Sequence, residues 1–208
     1  MSFPEKAANY LIKSKGIKNE DQQEILLFGA QVFFGLVSSI VITCFLGYLF
    51  HLHVQIFYML LASMFIRKTA GGAHSENSLH CLLITVFIYN ILAYIALETI
   101  YIVQDYMGLV IILSFLYGLT IIYLKAPVES PEKPLSFQQK KLLRKLSFLA
   151  VFFLFICQGL SYIYNKYELT NYAVSLIMLW QYLMLTSFGH KIMYFIDRFL
   201  LIILLKGR

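Results

Sequence analysis

Residues 54–66 read VQIFYMLLASMFI, and whether this run crosses a bilayer decides the fold. As an α-helix it reaches only about 20 Å, against a hydrocarbon core of about 30 Å. It must extend into its flanks, thin the bilayer locally, or be re-entrant. The apolar stretches around it are longer: 28–50 before it, and 79–99, 107–124, 147–164 and 170–188 after it. The 208 residues are 60% hydrophobic and 13% charged, whereas a soluble domain carries roughly 25% charged residues. So many long apolar stretches exceed what one small core can hide, which predicts a polytopic membrane protein.

Charge decides the count. If 54–66 crosses, the chain has six spans and both termini lie on one side. Lys and Arg then fall as four in 1–27, two in 67–78, six in 125–146 and four in 189–208, with Lys166 alone opposite. Basic residues concentrate on cytoplasmic loops, so that asymmetry predicts cytoplasmic N- and C-termini. A non-crossing 54–66 would put the six-charge loop opposite the N-terminus and destroy the bias. The expected fold is therefore all-α, one integral membrane domain over 1–208. Residues 1–27 form an N-terminal segment, 28–188 a six-helix bundle and 189–208 a C-terminal interfacial helix.

The N-terminal SFPEKAANYLIKSKG reads as a short amphipathic helix. Ser2 and Glu5 have capping-box spacing, Pro4 suits the first turn and Gly16 can stop it. Its lysines and apolar residues fit either a helix lying on the cytoplasmic leaflet or a solvated tail. No apolar stretch with a small-residue cleavage site occurs there, so no cleavable leader is expected. The proline-bearing loop 125–146 is read as a stiff basic connector able to meet anionic lipid headgroups or an acidic peptide. Cys44, Cys81 and Cys157 are odd in number, and two lie in apolar spans, so no disulfide framework is implied. Gln158, Gln181 and Asn90 suit interhelical hydrogen bonds.

Directly after the short run comes RKTAGGAHSENSLHC, Arg67 to Cys81, a polar stretch between two apolar segments. In one straight helix His74 and Cys81 would share a face but stand about 10.5 Å apart along the axis. A base and its nucleophile need about 2.6–3.2 Å, so a working pair requires a bend. Gly71-Gly72 permits one, while Ser75, Asn77 and Ser78 favour turns and caps. With Ser78 or Asn77 as N-cap of the next span, Cys81 falls in its first turn. There the helix dipole favours a thiolate, and the preceding loop can fold His74 back over the helix end.

Spacing alone leaves other readings open. His74 suits a headgroup contact as well as catalysis. His80 is a rival base, though adjacent helical residues point about 100° apart, which aims it at the loop or lipid. A zinc site from His74, His80 and Cys81 lacks a fourth ligand and a standard spacing. Arg67 and Lys68 fit anchors at a span end. Glu76 can orient His74 or be a solvated carboxylate, and Asn90 lies too deep to touch the pair. The C-terminal IMYFIDRFLLIILL is interrupted by Asp197 and Arg198, and fits an interfacial or bundle-packed helix better than a seventh span.

RKTAGGAHSENSLHC resembles the signature of the AgrB family (accessory gene regulator protein B): Arg, paired Gly, His and Cys at fixed offsets at the end of a membrane span. The loop APVESPEKP, the length and the span number are also similar. One departure is Ala73, where many relatives carry an aromatic. The resemblance implies a membrane cysteine endopeptidase acting on an AgrD-type pro-peptide, with Cys81 as nucleophile and His74 as base. Arg67, Gly71, Gly72, Glu76 and Ser78 would bind substrate or shape the loop. Tail removal through an acyl-thioester, followed by attack of an internal Cys or Ser, would give a thiolactone or lactone autoinducing peptide for quorum sensing. Family members are thought to act as homodimers at the cytoplasmic face of the cell membrane. No phosphate-binding loop occurs, so no cofactor, metal or nucleic acid is expected. A small peptide transporter is the rival reading, but internal repeats and midplane ionisable residues are not evident. A non-enzymatic scaffold comes third.

Overall fold

The computed structural model describes every residue except 1, 2, 18, 74, 76, 130–134, 207 and 208, with backbone alone at 78 and 203–206. The described residues form eight α-helices and no strand: α1 (Phe3–Lys15), α2 (Glu20–Leu49), α3 (His53–Ala70), α4 (Ser78–Val103), α5 (Met107–Lys125), α6 (Phe137–Ile163), α7 (Glu168–Met184) and α8 (Ser187–Lys206). A 3-10 turn at Gln104–Tyr106 joins α4 to α5.

The run at 54–66 is the middle of α3. The helix takes in His53 and continues through Arg67, Lys68 and Thr69 to Ala70, so its 18 residues measure about 27 Å. One face of α3 packs against α2, α4, α6 and α7, while Phe57, Tyr58, Leu61 and Phe65 on the other are exposed. Ile56, Met59, Ala62, Ser63 and Ile66 are buried among those neighbours.

Among the described residues three helical stretches are long and apolar enough to cross a membrane, Glu20–Leu49, Leu79–Lys125 and Phe137–Ile163, with a fourth if α7 and the α8 that bends from it count as one. The second, at 47 residues, would measure about 70 Å if straight. It reverses instead. Val128 N–H donates to Ala70 O at 2.9 Å, and Ala73 N–H donates to Met184 O at 2.9 Å. These bonds gather the ends of α3, α5 and α7, and the start of α4, at one end of the bundle. At the other end Gly108 lies against Tyr162, and Thr99 Oγ1 donates to Tyr172 Oη at 3.3 Å. Consecutive helices from α2 to α7 thus alternate in direction.

The small and polar residues settle the packing. A Cβ on Gly118 would run into the Tyr182 ring, so α5 and α7 approach as closely as they do only because that position is glycine. Gln158 Nε2 donates to Asn171 O at 3.0 Å and Ser175 Oγ at 2.9 Å, which ties α6 to α7 as its amide suggested. Gln181 likewise reaches α4. Among the described residues Asn90 does not bridge helices: its amide donates to Val86 O, one turn back on its own helix.

Several boundaries differ from the sequence expectation. The short N-terminal helix is present, but it doubles back along α2, with the Phe3 ring 5.1 Å from that of Phe34. Ser2, half of its proposed capping box, lies outside the described residues. α2 starts at Glu20, well inside the segment assigned to 1–27, because Asn19 Oδ1 caps it by accepting from Asp21 N–H at 2.9 Å. The connector at 125–146 is shorter than expected. Ser136 and Gln139 form a capping box that starts α6, so Lys140, Lys141, Arg144 and Lys145 sit on helix. Finally, α7 ends at Met184, not 188, and α8 leaves it at 94°.

Candidate active site around Cys81

Two glycines turn the chain out of α3. Gly71 has φ 77° and Gly72 φ 125°, conformations that L side chains rarely adopt. A Cβ on Gly71 would also stand 2.5 Å from Val128 O. The hinge expected from Gly71-Gly72 is therefore real, and it is wedged against the α5–α6 connector.

Beyond the hinge the described loop residues, Ala73, Ser75 and Asn77, are each anchored. Ala73 is buried; its N–H bonds Met184 O, and its carbonyl accepts from Arg67 Nη2 at 3.2 Å. Ser75 is buried too, and its hydroxyl donates to Asp197 Oδ1 at 2.6 Å. Asn77 N–H donates to Ser75 Oγ at 3.2 Å. Asn77 then caps α4, its Oδ1 accepting from Leu79 N–H at 2.9 Å. Of the two expected caps Asn77 plays the part; the Ser78 side chain, His74 and Glu76 lie outside what the structure describes.

Cys81 sits in the first turn of α4, where its N–H donates to Asn77 O at 2.9 Å. It is half-buried and lines a cavity of about 20 Å³ with Arg67, Tyr89, Trp180, Gln181, Met184 and Met193. That volume holds little more than one water. Its polar side is organised: Tyr89 Oη donates to Ser63 Oγ, and Gln181 Nε2 donates to Tyr89 Oη at 3.4 Å. Arg67 thus does more than anchor a span end. It lines the cavity and holds the loop carbonyl of Ala73. Cys81 at the start of α4 and Arg67 at the end of α3 thus line the same small cavity.

His80 departs from the expectation that it faces loop or lipid. It is buried, and its Nδ1 stands 3.1 Å from Asp197 Oδ1. The reason is α8, which folds across the start of α4 and lays Met193, Ile196 and Leu200 with Ala73, Ile84 and Met184. An apolar run with one aspartate was legible as an interrupted helix. The warning in it was that an ionisable residue in such a run is costly and tends to be functional. Nothing in the sequence alone marks Ser75, Tyr89 or Gln181 as site residues; of the four that the structure adds, Asp197 carries the usable signal.

Farther out, the first turns of α6 border a groove with Ala126 and Pro127. Lys140 Nζ pairs with Glu129 Oε1 at 2.8 Å, which holds that carboxyl below its ordinary range. Arg144 Nη2 donates to Tyr123 O at 2.6 Å.

A family model described as Accessory gene regulator B matches residues 4–185. An AgrB-like protein of Clostridium perfringens strain SM101 is 26% identical over 190 residues, which is 87% of this chain and 89% of that protein. AgrB-like protein 2 of Clostridium perfringens strain 13 is 25% identical with the same coverage. No solved structure matches.

Proposed function

The chain belongs to the accessory gene regulator B family, and from that premise we propose that it is a membrane-embedded cysteine endopeptidase that trims and cyclises an AgrD-type precursor peptide. Family membership supports a part in agr quorum sensing, and the apolar helices support a membrane setting. The observation that carries the enzymatic reading is Cys81 itself: a thiol in the first turn of α4, open to a cavity that Arg67, Tyr89 and Gln181 line.

In this reading His74 takes the proton from Cys81 Sγ, and the thiolate attacks the carbonyl that precedes the peptide's C-terminal tail. The tetrahedral intermediate collapses as the imidazolium protonates the departing amine. The tail leaves with a free amino terminus, and the rest stays as an acyl-thioester on Cys81. An internal Cys or Ser of the peptide then attacks that thioester, releasing Cys81 and closing a thiolactone or lactone. Exchange between thioesters conserves acyl energy, so no nucleotide is required. Arg67, Gly71 and Gly72 shape the loop; Glu76 and Ser78 complete it. A small, poorly hydrated cavity protects the acyl-enzyme from hydrolysis.

The chain crosses the membrane six times through α2 to α7, with both termini and the Cys81 end cytoplasmic, and it works as a homodimer. Anionic lipids meet the basic start of α6. The test is co-expression of the precursor peptide with Cys81→Ala and His74→Ala. Both variants should insert normally and lose tail cleavage. Retained cleavage in Cys81→Ala overturns the mechanism.

A further inference from the structure

α8 contributes more to the Cys81 end than apolar cover. Asp197 is the only acidic residue in that helix, and its own neighbour does not neutralise it. Arg198 turns away to Tyr194, donating from Nε to Oη at 3.0 Å and lying 5.5 Å over the ring. Asp197 points the other way, and a single oxygen, Oδ1, meets two buried partners: Ser75 Oγ at 2.6 Å and His80 Nδ1 at 3.1 Å. A carboxylate with two donors resolves its own desolvation and holds both donors in place.

Those two partners come from the two segments that the proposed reaction uses. Ser75 belongs to the loop that carries position 74, and His80 belongs to the helical turn that carries Cys81. On the far side of position 74, Ala73 is pinned by Met184 O and by Arg67. Asp197 therefore supplies the second fixed point of that loop and locks it to the start of α4. It does so from α8, beyond residue 185 where the family match ends.

We propose that Asp197 is a positioning residue for the reaction at Cys81, acting by holding Ser75 and His80 together so that the loop presents its histidine to the thiol. This rests on the cysteine–histidine reading above. The aspartate touches neither substrate nor reacting atoms. A misplacement of about 1 Å is enough to lower a rate by up to about a hundredfold, so loss of the clamp should be visible in the reactivity of the thiol.

The experiment uses the full chain in liposomes at neutral pH, with iodoacetamide as probe and peptide mapping to follow Cys81 separately from Cys44 and Cys157. His74→Ala should slow alkylation of Cys81, and Asp197→Ala should slow it by about tenfold or more. The double variant should be no slower than His74→Ala, because the aspartate acts through that histidine. Asp197→Asn, whose amide oxygen accepts the same two bonds, should recover most of the rate. Ser75→Ala cuts the loop side of the clamp without altering α8, and should slow the reaction even if Asp197→Ala fails to fold. The proposal is overturned if Asp197→Ala, or Ser75→Ala where the former does not fold, stays within about twofold of the parent while His74→Ala is slow. It is also overturned if the two losses multiply. Unchanged Cys81 reactivity in His74→Ala would instead remove the underlying reading.

Discussion

Ser75 Oγ donates to Asp197 Oδ1 at 2.6 Å although 122 residues separate them. The bond joins a loop between α3 and α4 to the last helix of the chain, and it is possible because α8 leaves α7 at 94° and lies back across the start of α4. Without that bend Asp197 would be a carboxylate stranded in an apolar helix. With it, the loop before Cys81 gains a fixed point that the surrounding helices alone do not supply.

The hinge sets the first prediction. Gly71→Ala forces a side chain into φ 77° and against Val128 O, so it should cost about 2–4 kcal/mol and lower activity. Gly72→Ala is strained at φ 125° but has more room, its nearest neighbours being 3.5 Å away, and should be milder. Thermal unfolding in detergent ranks the two. Equal stability of Gly71→Ala and the parent would contradict the geometry.

Two buried tyrosines should respond oppositely to loss of the hydroxyl. Tyr89 donates to Ser63 and accepts from Gln181, so Tyr89→Phe should destabilise by about 1 kcal/mol. Tyr182 has a buried hydroxyl with no hydrogen-bond partner among the described residues, so Tyr182→Phe should be neutral or slightly stabilising. Matched unfolding curves decide it, and a larger loss at Tyr182 than at Tyr89 would be the failure.

The close contact of α5 and α7 gives a third. Gly118→Ala puts a methyl into the Tyr182 ring and should cost about 1–3 kcal/mol by overpacking. The double variant Gly118→Ala/Tyr182→Leu should recover part of that loss. Additive losses would mean the two positions are not in contact.

Topology is tested by single-cysteine labelling in intact cells. A cysteine at Lys166 should react with a membrane-impermeant maleimide, and one at Glu129 only after permeabilisation. The reverse pattern would overturn the orientation drawn from sixteen basic residues against one.

Most of the helical scaffold is visible in the chain, because apolar stretches and caps are local. Asn77, the Gly71-Gly72 hinge and the reversal near 104–106 could be placed from neighbours a few residues away. The length of α3 could not. Arg67, Lys68 and Thr69 look like a span end, yet the helix runs through them to Ala70 and turns only at Gly71. The basic residues of 140–145 read as part of a loop, although Ser136 and Gln139 have the spacing of the capping box that starts their helix. The pairing of Asp197 with His80 is beyond reach for another reason. It depends on the angle between α7 and α8, and neither composition nor spacing encodes an angle.

Cyclisation should be reversible in the enzyme, since forming a thioester from an amide is uphill and is drawn forward only by product removal. Purified chain incubated with the cyclic product and the cleaved tail should regenerate some precursor. No regeneration at high tail concentration would contradict thioester exchange.

The central claim, covalent catalysis at Cys81, is tested most directly by intact-mass analysis of the full chain quenched in acid while it processes its precursor. The expected result is an adduct with the mass of the precursor less its tail, mapped to Cys81, released by hydroxylamine and absent from Cys81→Ala. Tail release without that adduct in Cys81→Ala, or an adduct on another residue, would contradict it.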